Sequence, residues 1–372
     1  MTDSRKRIIV VDGFEIGPAS TGVGRVVHNL ITEMTAMLPH QFIMLIPRRV
    51  NSYEGKPHIS PRFISYQGGY FWWQNRVLQR ELKKINWDIF IGPNYTLPVR
   101  FRGPAILLEH DISFAVHPGW FSRREALARK YLVGHSIRKA DLVMTVSQFS
   151  RREILKHYPV NPDKVYAVHH GVEDKFQAAS HERVKEWKAK QGFGDEKIIG
   201  FLGSLFNRRH IPLLVQAAEK IRMNFPVRLH IVGKDLTHPP QGLASRLDRP
   251  WIRWDYSLPD RDLPVFYSAL DVFAYLSEYE GFGLPPMEAL SCGTLPVLLN
   301  RTALAEIYPE MSVMVDRIEV DSVVQALTKV LTDAGLRESK LRNFRAKKNY
   351  FTWKRAAEEW ASRIETLLQA VS

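Results

Sequence analysis

The sequence has little that could bridge, span or repeat. Its 372 residues contain one cysteine, Cys292, so no disulfide can form within the chain and a reducing compartment is expected. No apolar run approaches the ~18 residues that a membrane-spanning helix needs. The apolar stretch in MTDSRKRIIVVDG follows a basic start as in a signal peptide, but it stops at Asp12 and reads as a first strand. Any membrane contact is therefore expected to be peripheral. Short-period repeats and low-complexity tracts are missing, and no cluster has zinc spacing. Acidic residues are also short: 39 Asp and Glu against 52 Lys and Arg leave a net charge of +13. That excess asks for an acidic partner, whether a nucleotide-linked substrate, an anionic membrane surface or nucleic acid. Nucleic acid is disfavoured, because the basic residues are scattered and no reader motif accompanies them.

What is present is a long alternation of strand and helix. A hydrophobic content of 45% with 24% charged residues is ordinary for a soluble protein, and the length favours two domains over one. Strands are predicted at residues 7–11, 42–47, 88–92, 105–109, 141–146 and 164–168, with helical stretches between most of them. After Gly171 the pattern lapses into the polar run HERVKEWKAKQGFGDEK, and a second series follows at 198–202, 228–232, 252–254, 271–276, 295–299 and 313–315. Alternation of this kind predicts an α/β fold with parallel sheets covered on both faces. Ligands of such sheets sit outside the carboxyl ends of the strands. A last helix near residues 353–370 carries Ala356, Trp360, Ile364 and Leu367 on one stripe.

The densest chemistry lies in SEYEGFGLPPMEALSC, Ser277 to Cys292, directly after the predicted strand DVFAYLS. Gly281 and Gly283 open backbone conformations closed to other residues, and Pro285 or Pro286 suits the first helical position. The free N–H groups from Gly283 onward then form an anion site at a helix start. Glu280 before the turn and Glu288 after it can border one pocket. Carboxylates grip hydroxyls and N–H groups grip phosphate oxygens, so the pattern suggests a sugar on a phosphate; an ordinary capped helix with solvated acids is the plain alternative. Gly203-Ser204-Leu205-Phe206-Asn207-Arg208-Arg209-His210 ends the first strand of the second series, and its arginines offer forked donors to a pyrophosphate. His110-Asp111 ends a strand of the first series, where a histidine could bond a sugar hydroxyl or aid proton transfer, or simply serve as a loop residue.

Three further stretches carry weaker signals. Thr21-Gly22-Val23-Gly24-Arg25 opens a helix with backbone donors. It could be a dinucleotide fingerprint, with Arg48-Arg49 as a phosphate clamp, but Val27 stands where the third glycine belongs and the turn does not follow its strand directly. Asp260-Arg261-Asp262 matches an Asp-x-Asp metal pattern, yet Leu263, Phe266 and Tyr267 follow at helical spacing, so the acids are expected to cap a helix. Phe71 to Trp87 sets Arg76, Arg80, Lys83 and Lys84 beside Val77, Leu78, Leu82 and Ile85. It fits either a core helix with a basic face or a surface helix docking on anionic lipid.

Together TGVGRVVHNL, EHDISFAVHPGWF, ADLVMTVSQFS, KVYAVHHGVEDKF, GSLFNRRHIPLL, LHIVGK and SEYEGFGLPPMEALSCGTLPV resemble glycosyltransferase family 4, the retaining nucleotide-sugar transferases. The pattern is most similar to the bacterial mannosyltransferases of O-antigen and capsule assembly. The resemblance implies the GT-B fold, with two Rossmann-like domains facing across a cleft. The first would be residues 1–175, on the acceptor side, joined by a helix at 353–372 that crosses back to it; the second would be 190–352, on the donor side. By position, Glu280 would bind donor-sugar hydroxyls, Glu288 the ribose, and Phe282, Gly283 and Leu284 the sugar and phosphate through their backbones. Arg208 and Arg209 would neutralise the leaving diphosphate, with Arg209 standing where relatives commonly have Lys and His210 where they often have Asn. Gly203 would lie on the donor side too, Gly22 and Gly24 would shape the first domain's edge of the site, and His110 would touch the sugar near the reacting carbon.

The function implied is transfer of a hexose, mannose from GDP-mannose by preference, from a nucleotide-diphosphate sugar to a saccharide or lipid-linked acceptor. No metal or other cofactor is expected, since arginines and helix N–H groups can carry the leaving charge. The expected place is the cytoplasm, with peripheral contact at the inner face of the cell membrane. UDP- or dTDP-sugars are alternative donors. Outside that class stand a nucleotide-sugar epimerase on the same fold and a non-catalytic protein that binds anionic lipid or polysaccharide.

Overall fold

The structure, a computed structural model, describes residues 6–17, 22–50, 53 and 55–370, so Thr21 of the first glycine loop lies outside it. The chain divides into two units, residues 1–171 with 351–372, and residues 172–350.

The first unit holds seven strands: β1 Ile8–Asp12, β2 Gln41–Ile46, β3 Ile59–Phe63, β4 Ile89–Gly92, β5 Ala105–Glu109, β6 Leu142–Thr145 and β7 Val165–Ala167. They lie in the order β3-β2-β1-β4-β5-β6-β7, every neighbouring pair parallel. β4 and β5 are buried at every residue, as a sheet covered on both faces requires. One face meets Val133, Ile137, Ile154 and Tyr158 in a core with Val10, Phe90, Leu107 and Val143. Alternation does not predict β3, whose ISPRF contains Pro61 and Arg62. Both are tolerated because β3 is the edge strand.

Asp12 ends β1 and is a hub. Its carboxylate accepts hydrogen bonds from Trp73 Nε1 at 2.8 Å, Tyr70 Oη at 3.0 Å and the Phe14 amide at 3.1 Å. Burial raises its pKa to about 6, against the pull of those bonds. This contact draws the helical stretch from Tyr70 to Leu82 onto the sheet and buries Trp73, while Phe71 and Trp72 stay about half exposed. The core-helix reading of that segment holds on one side, which is buried, while the other side carries Trp72 with the Arg76 guanidinium 4.7 Å above its ring. Glu109 at the end of β5 is fully buried, and neither carboxylate oxygen has a hydrogen-bond partner among the described residues; burial, then the Asp111 charge, raises its pKa well above the usual range.

The helix Trp353–Ala370 returns to this unit and packs on the first helix, Gly22–Met37. Its predicted stripe is buried, with Ala357 and Leu368 beside it, and His40 Nε2 lies 3.0 Å from Glu365 Oε1. At the point of return the backbones nearly touch: a Cβ on Gly171 would lie 2.1 Å from the Trp353 nitrogen.

The second unit holds β8 Lys197–Leu202, β9 Val227–Val232, β10 Ile252–Asp255, β11 Val272–Tyr275, β12 Pro296–Leu299 and β13 Val313–Val315. Their order is β10-β9-β8-β11-β12-β13, again all parallel. The order reverses between β8 and β11, and at such a switch point loops leave the carboxyl edge in opposite directions and open a crevice. Both conspicuous motifs of this half, the arginine turn and the glutamate stretch, follow those two strands. The Asp-Arg-Asp acids do not cap as expected: Asp262 precedes the helix Leu263–Ala269 with no side-chain capping bond, and Asp260 instead pairs with Lys175 at 2.6 Å. Asp262, which holds the cap position, lies 3.9 Å from Arg261 Nε.

Candidate functional site

Gly203 follows β8 with φ of +137°, and a Cβ there would lie 2.4 Å from Arg209 Nη1. Only glycine lets that guanidinium lie against the chain. Each nitrogen of the guanidinium then makes a hydrogen bond. Nη1 donates to the Ser204 carbonyl at 2.8 Å, and Nη2 and Nε donate to Glu280 Oε1 at 3.1 and 3.3 Å. The Tyr275 ring lies under the guanidinium at 5.1 Å. Arg208 sits over the Phe206 ring at 4.3 Å, and its carbonyl accepts from the Glu278 amide at 2.9 Å. His210 closes the turn in a left-handed conformation, φ 50°, with Nε2 2.5 Å from Glu278 Oε1. These two contacts to Glu278 fix the arginine turn against the loop after β11.

Glu280 is the centre of the arrangement. Besides Arg209, its Oε1 accepts from Ser277 Oγ at 2.8 Å and Tyr275 Oη at 2.9 Å, and its amide donates to Thr302 Oγ1 at 3.3 Å. Burial by itself would raise this carboxyl, but the guanidinium groups of Arg209 and Arg208, helped by the Ser277 and Tyr275 hydrogen bonds, hold it below its usual range. It is a fixed anion with one oxygen saturated.

The turn after it packs tightly. Gly283 has φ of +89°, and a Cβ there would press on Leu304 Cδ2 at 2.8 Å. Its carbonyl accepts from the buried Tyr308 hydroxyl at 2.5 Å. The helix begins at Leu284 and runs to Ser291. Because Pro285 and Pro286 lack N–H groups, Gly283 and Leu284 are the residues able to donate at this helix end. Phe282 is buried beside them. Glu288, one turn on, is buried and its Oε2 accepts from Tyr267 Oη at 2.7 Å. The Tyr308 hydroxyl is pushed well above its usual range by burial and then by Tyr275, Glu288 and Glu280, so both carboxylates bear on the same tyrosine.

The unit therefore brings together Gly203, Arg208, Arg209, Glu280, Phe282, Gly283, Leu284 and Glu288 around one sheet edge. Sequence reasoning missed the tyrosines. Tyr275 falls in a predicted buried strand and Tyr267 on a predicted apolar helix face, where nothing distinguishes a hydroxyl that seeks a carboxylate; Tyr308 lies beyond the motif altogether.

The first unit contains the remaining candidates. His110 follows β5 and its Nε2 donates to the Pro93 carbonyl at 3.0 Å, which leaves Nδ1 as the acceptor. Burial lowers its pKa, opposed by that bond and by Asp111, so the ring is neutral near pH 7. Its ring centroid is 5.4 Å from that of Tyr95 and 6.1 Å from that of His170. Asp111 is a turn former whose Oδ1 accepts from the Ser113 amide at 2.8 Å. Gly22 opens the first helix at the surface and Gly24, two positions on, is buried. Among the described residues, no group of three or more His, Cys, Asp or Glu side chains is placed to hold a metal ion.

Comparison with known proteins agrees with this division. Residues 20–176 match the family described as Glycosyltransferase Family 4, and residues 183–349 the family described as Glycosyl transferases group 1. The O-antigen chain mannosyltransferase B of Escherichia coli is 30% identical over 270 residues, which is 71% of this chain and 71% of that one. The serotype-specific mannosyltransferase WbdA, also of Escherichia coli, is 27% identical over 241 residues, 62% of this chain but only 29% of WbdA's length. Among solved structures, HepE of Anabaena in complex with UDP-glucose superposes with a TM-score of 0.77 at 15% identity, covering 97% of this chain and 100% of that one.

Proposed function

The chain belongs to glycosyltransferase family 4, and from that premise we propose that it is a retaining, metal-independent transferase moving mannose from GDP-mannose to a saccharide or lipid-linked acceptor of a bacterial surface polysaccharide. The observation that carries this reading is the convergence of Arg209, Tyr275 and Ser277 on one oxygen of Glu280 beside the Gly283 helix start. That geometry immobilises a carboxylate next to an anion site without neutralising its second oxygen. Glu280 Oε2 then accepts from donor-sugar hydroxyls, while Phe282, Gly283 and Leu284 hold the sugar and phosphate through their backbones. Glu288 serves the ribose from its buried position, held by Tyr267.

In the proposed reaction the bond between the anomeric carbon and the diphosphate oxygen breaks, and a bond to the acceptor hydroxyl oxygen forms on the same face. The departing diphosphate takes the acceptor's proton, so no protein base is required. Arg208, Arg209 and the helix-start donors balance the charge that grows on the leaving group; such preorganised donors cost no rearrangement at the moment of reaction. Neutral His110 offers Nδ1 as an acceptor to a sugar hydroxyl near the reacting carbon, and Gly22 and Gly24 leave room for substrate at the first helix.

The mannosyl reading draws on the likeness to the two mannosyltransferases. HepE was solved with UDP-glucose, which makes a UDP-sugar the second reading. A thermal-shift screen with GDP, UDP and dTDP decides between them, because the cognate nucleotide raises the melting temperature. Glu280→Ala and Arg208→Ala should each abolish transfer while circular dichroism stays unchanged; turnover equal to the parent in both would overturn the assignment. We also propose peripheral membrane contact at the inner face through the basic first unit. No described helix is long and apolar enough to cross a membrane, and the exposed Phe71 and Trp72 lie among Arg76 and Arg80. Failure to pellet with anionic liposomes at low salt would remove that part.

A further inference from the structure

A cavity of about 560 Å³ lies in the first unit, between the turn Phe114 to Phe121 and the first half of the helix Arg123–Lys139. Its size is that of a small-molecule site, typically ~300–1,000 Å³. Phe114, Pro118, Phe121 and Leu127 give it an apolar lining, and the charged side chains that line it are Arg123 and Lys130. Neither cation makes a hydrogen bond or ion pair among the described residues, whereas Arg129 on the same helix is held by Glu125 at 2.9 Å. Leu127, at the rim of the cavity, is 70% exposed, and Tyr131, just beyond it on the helix, is 67% exposed. Four residues apart, they share one face beside the cavity. The start of a 17-residue helix adds positive potential where Arg123 stands.

We propose that this cavity binds the lipid part of a lipid-linked acceptor, the hydrocarbon next to the phosphate filling the apolar space and the phosphate resting on Arg123 and Lys130. The chemistry selects this occupant. A free saccharide would find almost no polar partner in the lining, and a nucleotide would find no carboxylate for its ribose. A neutral hydrocarbon would leave two unpaired cations at the mouth. An isoprenyl or alkyl phosphate satisfies all three conditions. The proposal names the acceptor class and so rests on the transferase reading, but its test does not require turnover.

Calorimetry on the full chain uses farnesyl phosphate as probe, below its aggregation limit, with farnesol and inorganic phosphate as comparison arms. Farnesyl phosphate should bind at least tenfold more tightly than farnesol, and inorganic phosphate should give no heat at the same concentration. Arg123→Glu combined with Lys130→Glu, and separately Leu127→Asp, should each weaken farnesyl phosphate at least tenfold. Arg138→Glu, further along the same helix, should not. In all variants the nucleotide-induced thermal shift should match the parent, which shows that the fold and the donor site are intact. With a lipid-linked acceptor the first two variants should raise KM at least tenfold, at unchanged kcat and unchanged KM for a water-soluble acceptor. Equal farnesyl phosphate affinity in parent and variants overturns the proposal, as does inorganic phosphate binding as well as farnesyl phosphate. If transfer itself is absent while the calorimetry holds, the functional reading fails and the cavity assignment stands.

Discussion

The contact between Arg209 and Glu280 gives the sharpest test of how this site is built. The two side chains are 11% and 14% exposed, with 3.1 Å between Nη2 and Oε1. At that distance and an effective dielectric of ~20, the Coulomb attraction is roughly 5 kcal/mol. Much of it offsets the cost of burying both charges, so the pair as a whole contributes far less. Removing one partner is different, because the other charge stays buried. Arg209→Met should therefore cost about 3–5 kcal/mol, measured by urea unfolding. It should also raise the Glu280 pKa, since burial then acts against less positive charge. The double variant Arg209→Met with Glu280→Gln should cost clearly less than the sum of the two single variants, with a coupling of about 2–3 kcal/mol. Transfer activity should be lost in all three. Additive unfolding energies would refute the reasoning, for they would mean that the two groups do not sense each other.

Tyr267→Phe removes the hydroxyl that bonds Glu288 Oε2 and should cost about 1–3 kcal/mol of stability, together with a higher KM for the nucleotide donor in steady-state kinetics. Gly283→Ala must adopt a positive φ and push on Leu304, so thermal unfolding should show a loss of about 1–3 kcal/mol. The stability of the first unit should fall as pH rises from about 4 to about 6. Asp12 has a folded pKa of about 6 against 3.8, so between those values the folded state holds the proton that the unfolded state has lost. A gap of that width is worth roughly 3 kcal/mol. Glu109, also raised, works in the same direction, and Asp12→Asn should flatten the slope in chemical denaturation run at pH 4, 5, 6 and 7.

Much of this architecture could be read from the chain because parallel strands buried on both faces leave unbroken apolar runs, which are visible without knowing the partner strand. β3 escaped because an edge strand needs only one ladder and can carry Pro61 and Arg62 at no cost. The spacing from Glu280 to Glu288 was equally visible, being local. What holds those acids was not. Tyr267 and Tyr275 sit at positions whose spacing signals only burial, and a tyrosine's hydroxyl can be assigned only when the far element is known. Asp12 shows the same limit: it looked like the end of an apolar run, yet its partners Tyr70 and Trp73 lie 58 and 61 residues on. Those bonds decide which side of the Phe71 to Trp87 stretch is core. The partner of Asp260 was hidden in the same way, since Lys175 reaches it from 85 positions away.

The packing of Trp353–Ala370 on the helix Gly22–Met37 bears on biosynthesis. Ribosomes deliver chains in one direction, so the sheet of the first unit is made early but lacks a piece of its own covering until the whole of residues 172–350 has been translated. The second unit is continuous and can fold as it emerges. The earlier unit must wait with the partners of Ala356, Trp360 and Ile364 uncovered, and it is there that a chaperone would find its purchase on the nascent protein.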